Sequence, residues 1–151
     1  MECNPIPGFG SDNPKFLVLG LNPGLRQGIW CQYKSLEKLQ EKYLQECLDS
    51  KYPYGKFLWH LEEFVPGFQI TRTVYLTDLV KCPVVENSNP SKQMLNKCYL
   101  AYWQDLVETL DPDYIIALGI NPTKLIGGFY RSGNKIQSTK ILVGNKQYYK
   151  R

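Results

Sequence analysis

The sequence predicts an α/β fold: three layers, with a central, mainly parallel four-stranded sheet between helices. Two observations carry this expectation. Short unbroken apolar runs, closed by glycine or polar turns, alternate along the chain with amphipathic stretches at helical spacing. Strands of a parallel sheet are covered on both faces, so they read as continuous apolar runs instead of alternating ones.

Phe16-Leu17-Val18-Leu19, closed by Gly20, is the first such run. From Ser35 to about Leu48 the residues Leu36, Leu39, Tyr43, Leu44, Cys47 and Leu48 recur at helical spacing with Glu and Lys between them. A shorter helical stretch covers Phe57, Leu58, Leu61 and Phe64 and stops near Val65-Pro66-Gly67. Val74 to Val80 reads as the second buried strand. Asn89-Pro90 offers a helix start, with asparagine as cap and proline in the first turn. That helix runs to about Leu110 on a stripe of Met94, Leu95, Cys98, Tyr102, Leu106 and Leu110, widened by Trp103 and Val107, and Asp111-Pro112 ends it. Tyr114 to Leu118 is the third strand, Thr123 to Phe129 a short helix, and Ile141-Leu142-Val143 the fourth strand. In such sheets ligands bind beyond the carboxyl ends of the strands, so the residues following each strand carry the functional information.

A chain of 151 residues with 43% apolar content builds one ordinary core, and a single domain over residues 1–151 is expected. The net charge of +4 suits a polyanionic partner and equally suits proteins that never meet nucleic acid. No run of 18 apolar residues occurs, and Met1-Glu2-Cys3-Asn4-Pro5 lacks the regions of a signal peptide. A soluble, cytoplasmic monomer with no membrane partner is the expectation. Five cysteines, an odd number without a CxxC pair, argue against a secreted disulfide scaffold.

Several motifs in a fixed order resemble the uracil-DNA glycosylase superfamily. Pro7-Gly8-Phe9-Gly10 is similar to a lead-in of its archaeal and bacterial branches, and Gly20-Leu21-Asn22-Pro23-Gly24 to the first catalytic motif of the mismatch-specific and single-strand-selective branches. Thr77-Asp78-Leu79-Val80-Lys81-Cys82-Pro83 resembles a segment of the iron-sulfur branches, where Asn89-Pro90, Cys98 and Leu118-Gly119 also follow in this order. Gly119-Ile120-Asn121-Pro122 echoes the first motif, so the short pattern alone proves little and its company carries the assignment.

The resemblance implies a monofunctional DNA glycosylase that hydrolyses the N-glycosidic bond of uracil or another deaminated base, acting in base-excision repair on DNA with damaged bases. Asn22 would orient the attacking water; an amide is not basic near neutral pH, so its role is positioning. The alternative for Asn22 is a turn residue before proline. Gly20, Leu21, Pro23 and Gly24 would line the base pocket, the glycines letting the main chain approach closely. Tyr54 in Pro53-Tyr54-Gly55 would stack on the flipped base, unless it is one of the eleven tyrosines serving the core or surface. Lys81, Lys92 and Arg131 would contact DNA phosphates, although single basic residues usually form only a solvated surface.

Asp78 stands where the resemblance implies an asparagine that reads the base edge. An amide donates and accepts at once, whereas a carboxylate only accepts. Either Asp78 is protonated, or the substrate edge differs, or uracil is not excised; a cap on the turn after the second strand is the structural alternative. Cys82 and Cys98 lie sixteen positions apart, as two cluster ligands of the iron-sulfur branches do, but a cluster needs four thiolates and no amino-terminal CxxC is present. No metal and no organic cofactor is expected. The family's His-Pro-Ser segment is missing, and His60, the only histidine, precedes the second strand. Two expectations follow: the natural chain extends past Arg151, or the protein is a catalytically weak or inactive nucleic-acid-binding member of the fold. A flavodoxin-like nucleotide-binding module is disfavoured, since neither Gly-Asn-Pro turn is a GxGxxG or Walker loop.

Overall fold

Leu17, Val18 and Leu19 are wholly inaccessible to solvent, which fixes their strand at the centre of the molecule. The computed structural model of the chain describes residues 8–21, 35–51, 53–81, 90–118, 140–143 and 146–149. Its elements are β1 (Phe9–Gly10), β2 (Phe16–Gly20), α1 (Leu36–Leu48), α2 (Pro53–Phe64), β3 (Val74–Asp78), α3 (Lys92–Cys98), a π-helical turn (Tyr99–Trp103), α4 (Gln104–Leu110), β4 (Tyr114–Ala117), β5 (Lys140–Val143) and β6 (Lys146–Tyr149).

The strands form one sheet in the order β1-β3-β2-β4-β5-β6. Its centre is parallel, β3 on β2, β2 on β4 and β4 on β5, with Phe16 level with both Val74 and Tyr114. These four are the strands the apolar runs predict. Two antiparallel strands extend the expected four to six: β1 beside β3 and β6 beside β5. With two residues, β1 is too short for any periodicity to show. The β5–β6 pair did carry a signal, since Gly144-Asn145 between the two runs is a dipeptide suited to hairpin turns.

Side chains alternate across each strand, and both faces of the sheet are apolar. Phe16, Val18, Val74, Leu76 and Ile116 face one way, into a cluster with Leu58, Phe68 and Ile70, against which Leu44, Leu48, Tyr54 and Leu61 of α1 and α2 pack. Leu17, Leu19, Ile115 and Ala117 face the other way, onto Trp103, Val107 and Leu110, with Leu95 and Leu106 beside them. The three predicted layers are thus present, with α1 and α2 on one face and α3 and α4 on the other. The ring of Phe16 lies 5.1 Å from those of both Phe68 and Tyr114, tying the first layer to the sheet.

Three boundaries differ from the sequence expectation. Helix α2 starts at Pro53, not near Phe57, because proline suits the first helical position; Tyr54 therefore belongs to its first turn. The helix expected from Asn89 to Leu110 is interrupted at Tyr99–Trp103 by the π-helical turn. Strand β3 ends at Asp78, although its successors stay paired with β2, as described below. The end at Asp111 holds: this residue is left-handed at φ 41° and returns its N–H to Val107 O at 2.9 Å. The helix expected at Thr123 to Phe129 lies outside the described residues.

Leu17→Ala should lower stability by about 2 to 5 kcal/mol, the usual cost of a large-to-small change in a closed core. Phe64, 72% exposed, should tolerate alanine within about 0.5 kcal/mol. Urea denaturation of the two variants checks both.

Candidate functional site

The parallel register brings the carboxyl ends of β2 and β3 level, with Gly20 directly opposite Asp78. Pairing continues past the strands: Leu79 N–H donates to Gly20 O at 3.0 Å and Val80 N–H to Leu21 O at 2.9 Å. Four backbone positions are thereby fixed where ligands bind in a sheet of this kind. Alternation puts Gly20 and Asp78 on the α1–α2 face, continuing the rows Phe16–Val18 and Val74–Leu76. A Cβ on Gly20 would overlap Asp78 Oδ1. The missing side chain is what lets this carboxyl group, 8% exposed, lie across the neighbouring strand.

Helix α2 aims its first turn at the same place. Glu62, near its end, accepts a hydrogen bond from Ile70 N–H at 2.8 Å, just before β3 begins. The helix therefore runs antiparallel to β3, and Tyr54 lies toward the carboxyl ends, packed against the same apolar cluster.

Lys81 is the unusual residue here. It is only 7% exposed, and its ammonium donates to Thr77 Oγ1. Burial pulls its pKa from 10.5 down to about 8, while the charges of Asp78 and Cys98 oppose that shift. Beside it opens a cleft of about 10 Å³, lined by Asp78, Leu79, Lys81, Tyr102, Trp103 and Leu106, with room for a single water. Among the described residues the Trp103 indole N–H, 3% exposed, finds no hydrogen-bond partner. Trp103 closes the π-helical turn, a distortion that often accompanies functional sites.

Of the residues singled out from sequence, Gly20, Leu21 and Asp78 gather at the carboxyl ends of β2 and β3, and Tyr54 packs against the apolar cluster on the same face. Lys81 joins them, but as a buried cation with an internal hydroxyl partner, not as a solvent-facing one. Lys92 is exposed in the first turn of α3. Cys98 is half-buried and a free thiol. Asn22, Pro23, Gly24, Cys82 and Arg131 lie outside the described residues. His60 is exposed on α2, its Nδ1 3.8 Å from the Glu63 carboxylate. Sequence reasoning did not single out Thr77 or Trp103 as site residues; Trp103 showed only as an aromatic widening the apolar stripe.

Among the described residues no group of three or more His, Cys, Asp or Glu side chains could hold a metal ion. Nor is any helix among them long and apolar enough to cross a membrane. A family model described as the uracil DNA glycosylase superfamily matches residues 7–148. No curated protein matches the chain.

The buried Lys81 gives stability a pH dependence of known sign. Below pH 8 both states carry its proton and the folded state bears the full cost of burying the charge. Between about 8 and 10.5 the folded state sheds the proton first, so stability rises with pH in that window. Urea midpoints at pH 7 and 9.5 should therefore show a gain that Lys81→Met abolishes. That range lies below the titration of Tyr75, which burial and Asp12 push above its usual value of 10.0.

Proposed function

We propose that this chain, which belongs to the uracil DNA glycosylase superfamily, hydrolyses the N-glycosidic bond of a damaged or deaminated base flipped out of DNA. One observation supports this reading above the others: the level pair of Gly20 and Asp78 at the carboxyl ends of β2 and β3, with the first turn of α2 on the same face. A flipped base needs a backbone that lets it approach, a polar group for its edge and an aromatic face to stack on. Gly20, Asp78 and Tyr54 supply one each. Stacking on an aromatic ring contributes about 1 to 3 kcal/mol per base, comparable with the cost of unstacking it.

Asn22, two residues beyond Gly20, positions the water that attacks the sugar carbon, and the proton it cannot accept passes to solvent or to the departing base. Pro23 and Gly24 serve the base pocket with Leu21, and Lys92 and Arg131 hold phosphates. The reaction calls for no metal or organic cofactor. A second reading, a nucleic-acid-binding member of the fold without catalysis, draws on His60: the chain's only histidine lies exposed on α2, beside Glu63.

Single-turnover assays on oligonucleotides carrying uracil, hypoxanthine, xanthine or 8-oxoguanine separate the two. The glycosylase reading expects excision of at least one base, reduced about 100-fold by Asn22→Ala, the order of effect expected when a reacting group loses its positioning. Salt-sensitive binding without any cleavage would leave the second reading standing.

A further inference from the structure

The exposed charges of α2, α3 and α4 are sorted along the strand direction. Glu62, near the end of α2, accepts from Ile70 N–H, and a Cβ on Gly67, just past that helix, would lie 3.1 Å from Nζ of Lys15, which precedes β2. The end of α2 therefore lies at the amino ends of the strands and its start at their carboxyl ends. In the other layer α4 ends at Asp111, three residues before β4, whereas Tyr102 and Leu106 line the cleft at the end of β3. Lys92 and Lys97 of α3 precede Tyr102 on the same helical run, so they too lie on the carboxyl side.

Exposed lysines hold that side in both layers: Lys51 and Lys56 at the start of α2, Lys92 and Lys97 on α3. Exposed acids hold the opposite side: Glu62 and Glu63 at the end of α2, and Glu108, Asp111 and Asp113 from the end of α4 to the start of β4. Asp105 stands between the two groups, about two helical turns past Lys97. Half-buried Asp49 is the acid nearest Lys51 in sequence, and its Oδ1 accepts the Lys51 backbone N–H at 2.9 Å. At the amino ends Arg72 and half-buried Lys15 offset only part of the acidic charge.

This order runs against what helix stability favours. The partial charges of a helix prefer acids in the first turn and bases in the last. Helix α2 has no acid in its first turn and no base in its last; Lys56 occupies the one, Glu62 and Glu63 the other. Sorting of this kind makes one end of the molecule positive and steers a polyanion to it. The two lysine pairs belong to opposite layers and so flank the paired ends of β2 and β3. A DNA strand carries a phosphate about every 3.4 Å, and a lysine binds phosphate as a point charge without reading sequence.

We propose that Lys51 and Lys56 on one flank and Lys92 and Lys97 on the other form a phosphate clamp that lays a DNA strand across the carboxyl ends of β2 and β3. The proposal rests on the reading that this end of the sheet receives a flipped base, and it adds the path of the backbone on either side of that base. Lys92 was already a phosphate contact in that reading; Lys51, Lys56 and Lys97 are new.

Salt dependence tests the clamp separately from catalysis. Fluorescence anisotropy with a labelled single-stranded oligonucleotide, repeated over a series of NaCl concentrations, gives the slope of log Kd against log salt. Each lysine engaged with a phosphate contributes about 0.7 to that slope. Lys51→Gln/Lys56→Gln and Lys92→Gln/Lys97→Gln should each flatten it by about 1.4, and the four together by about 2.8, while affinity at low salt falls about ten-fold or more per pair. Arg72→Gln, which removes a positive charge at the amino ends, should leave the slope unchanged. Wild-type binding without salt dependence, an unaltered slope in either double variant, or an equal flattening by Arg72→Gln overturns the proposal. Circular dichroism establishes that each variant is folded. Base excision with slopes indifferent to the lysines would sink the clamp and leave the glycosylase reading; slopes that depend on the lysines without excision of any base would do the reverse.

Discussion

The parallel pairing of β2 with β3 is the constraint on which the rest of the structure depends. It runs without a break from Phe16 opposite Val74 to Gly20 opposite Asp78 and continues in the bonds of Leu79 and Val80 to Gly20 and Leu21. A slip of one residue would turn Leu17 and Leu19 out of one core and Phe16 and Val18 out of the other. Register is therefore set by two apolar layers at once, and the level arrangement at the carboxyl ends follows from it. The site is held by the core, not by the loops around it.

Both helical layers run toward the same end. Helix α2 is tied at its far end by Glu62 and brings its first turn to the strand ends, while α4 finishes at Asp111 just before β4 and so points its start, next to Trp103, to the same place. Helices antiparallel to the strands they cover are the natural outcome of right-handed crossover connections. The cleft itself is lined from the π-helical turn and α4 by Tyr102, Trp103 and Leu106, and from the end of β3 by Asp78, Leu79 and Lys81. Gly8 and Gly10 perform a related task at the sheet edge: Gly10 takes φ 133°, where a Cβ would collide with Val74 O, and Gly8 lies against the Tyr75 ring. Side chains there would prevent β1 from closing over β3.

The four central strands and the three layers were legible in the sequence because burial on both faces leaves unbroken apolar runs such as Phe16 to Leu19. The π-helical turn was not, because Tyr99 to Trp103 carries the apolar stripe through the distortion; only the backbone hydrogen bonds distinguish it. At the site, Gly20, Tyr54 and Asp78 were legible as motif residues, and the structure adds that they share one face. Lys81 was legible as a basic residue but not as a buried one. Its neighbours Leu79 and Val80 are apolar, yet nothing in a linear pattern says whether a lysine after a strand turns outward to solvent or inward to Thr77. Chain direction beyond Asp78, which the continued pairing with Gly20 and Leu21 controls, makes that choice.

Three features near this cleft run against what stability alone would select. A buried ammonium costs more than an apolar side chain of similar volume. An indole N–H without a partner costs about 1 to 3 kcal/mol. A π-helical turn sacrifices the regular bonding of the helix that contains it. Elsewhere in the described core the rules hold: the two apolar clusters are closed, and Thr77 is satisfied by Lys81. Local conflicts in an otherwise consistent structure concentrate at functional sites, since folding alone would have removed them. Lys81 and Trp103 line one cleft with residue Asp78, which occupies the rung that β2 and β3 align. The most costly part of the molecule therefore adjoins the most firmly registered part of its sheet.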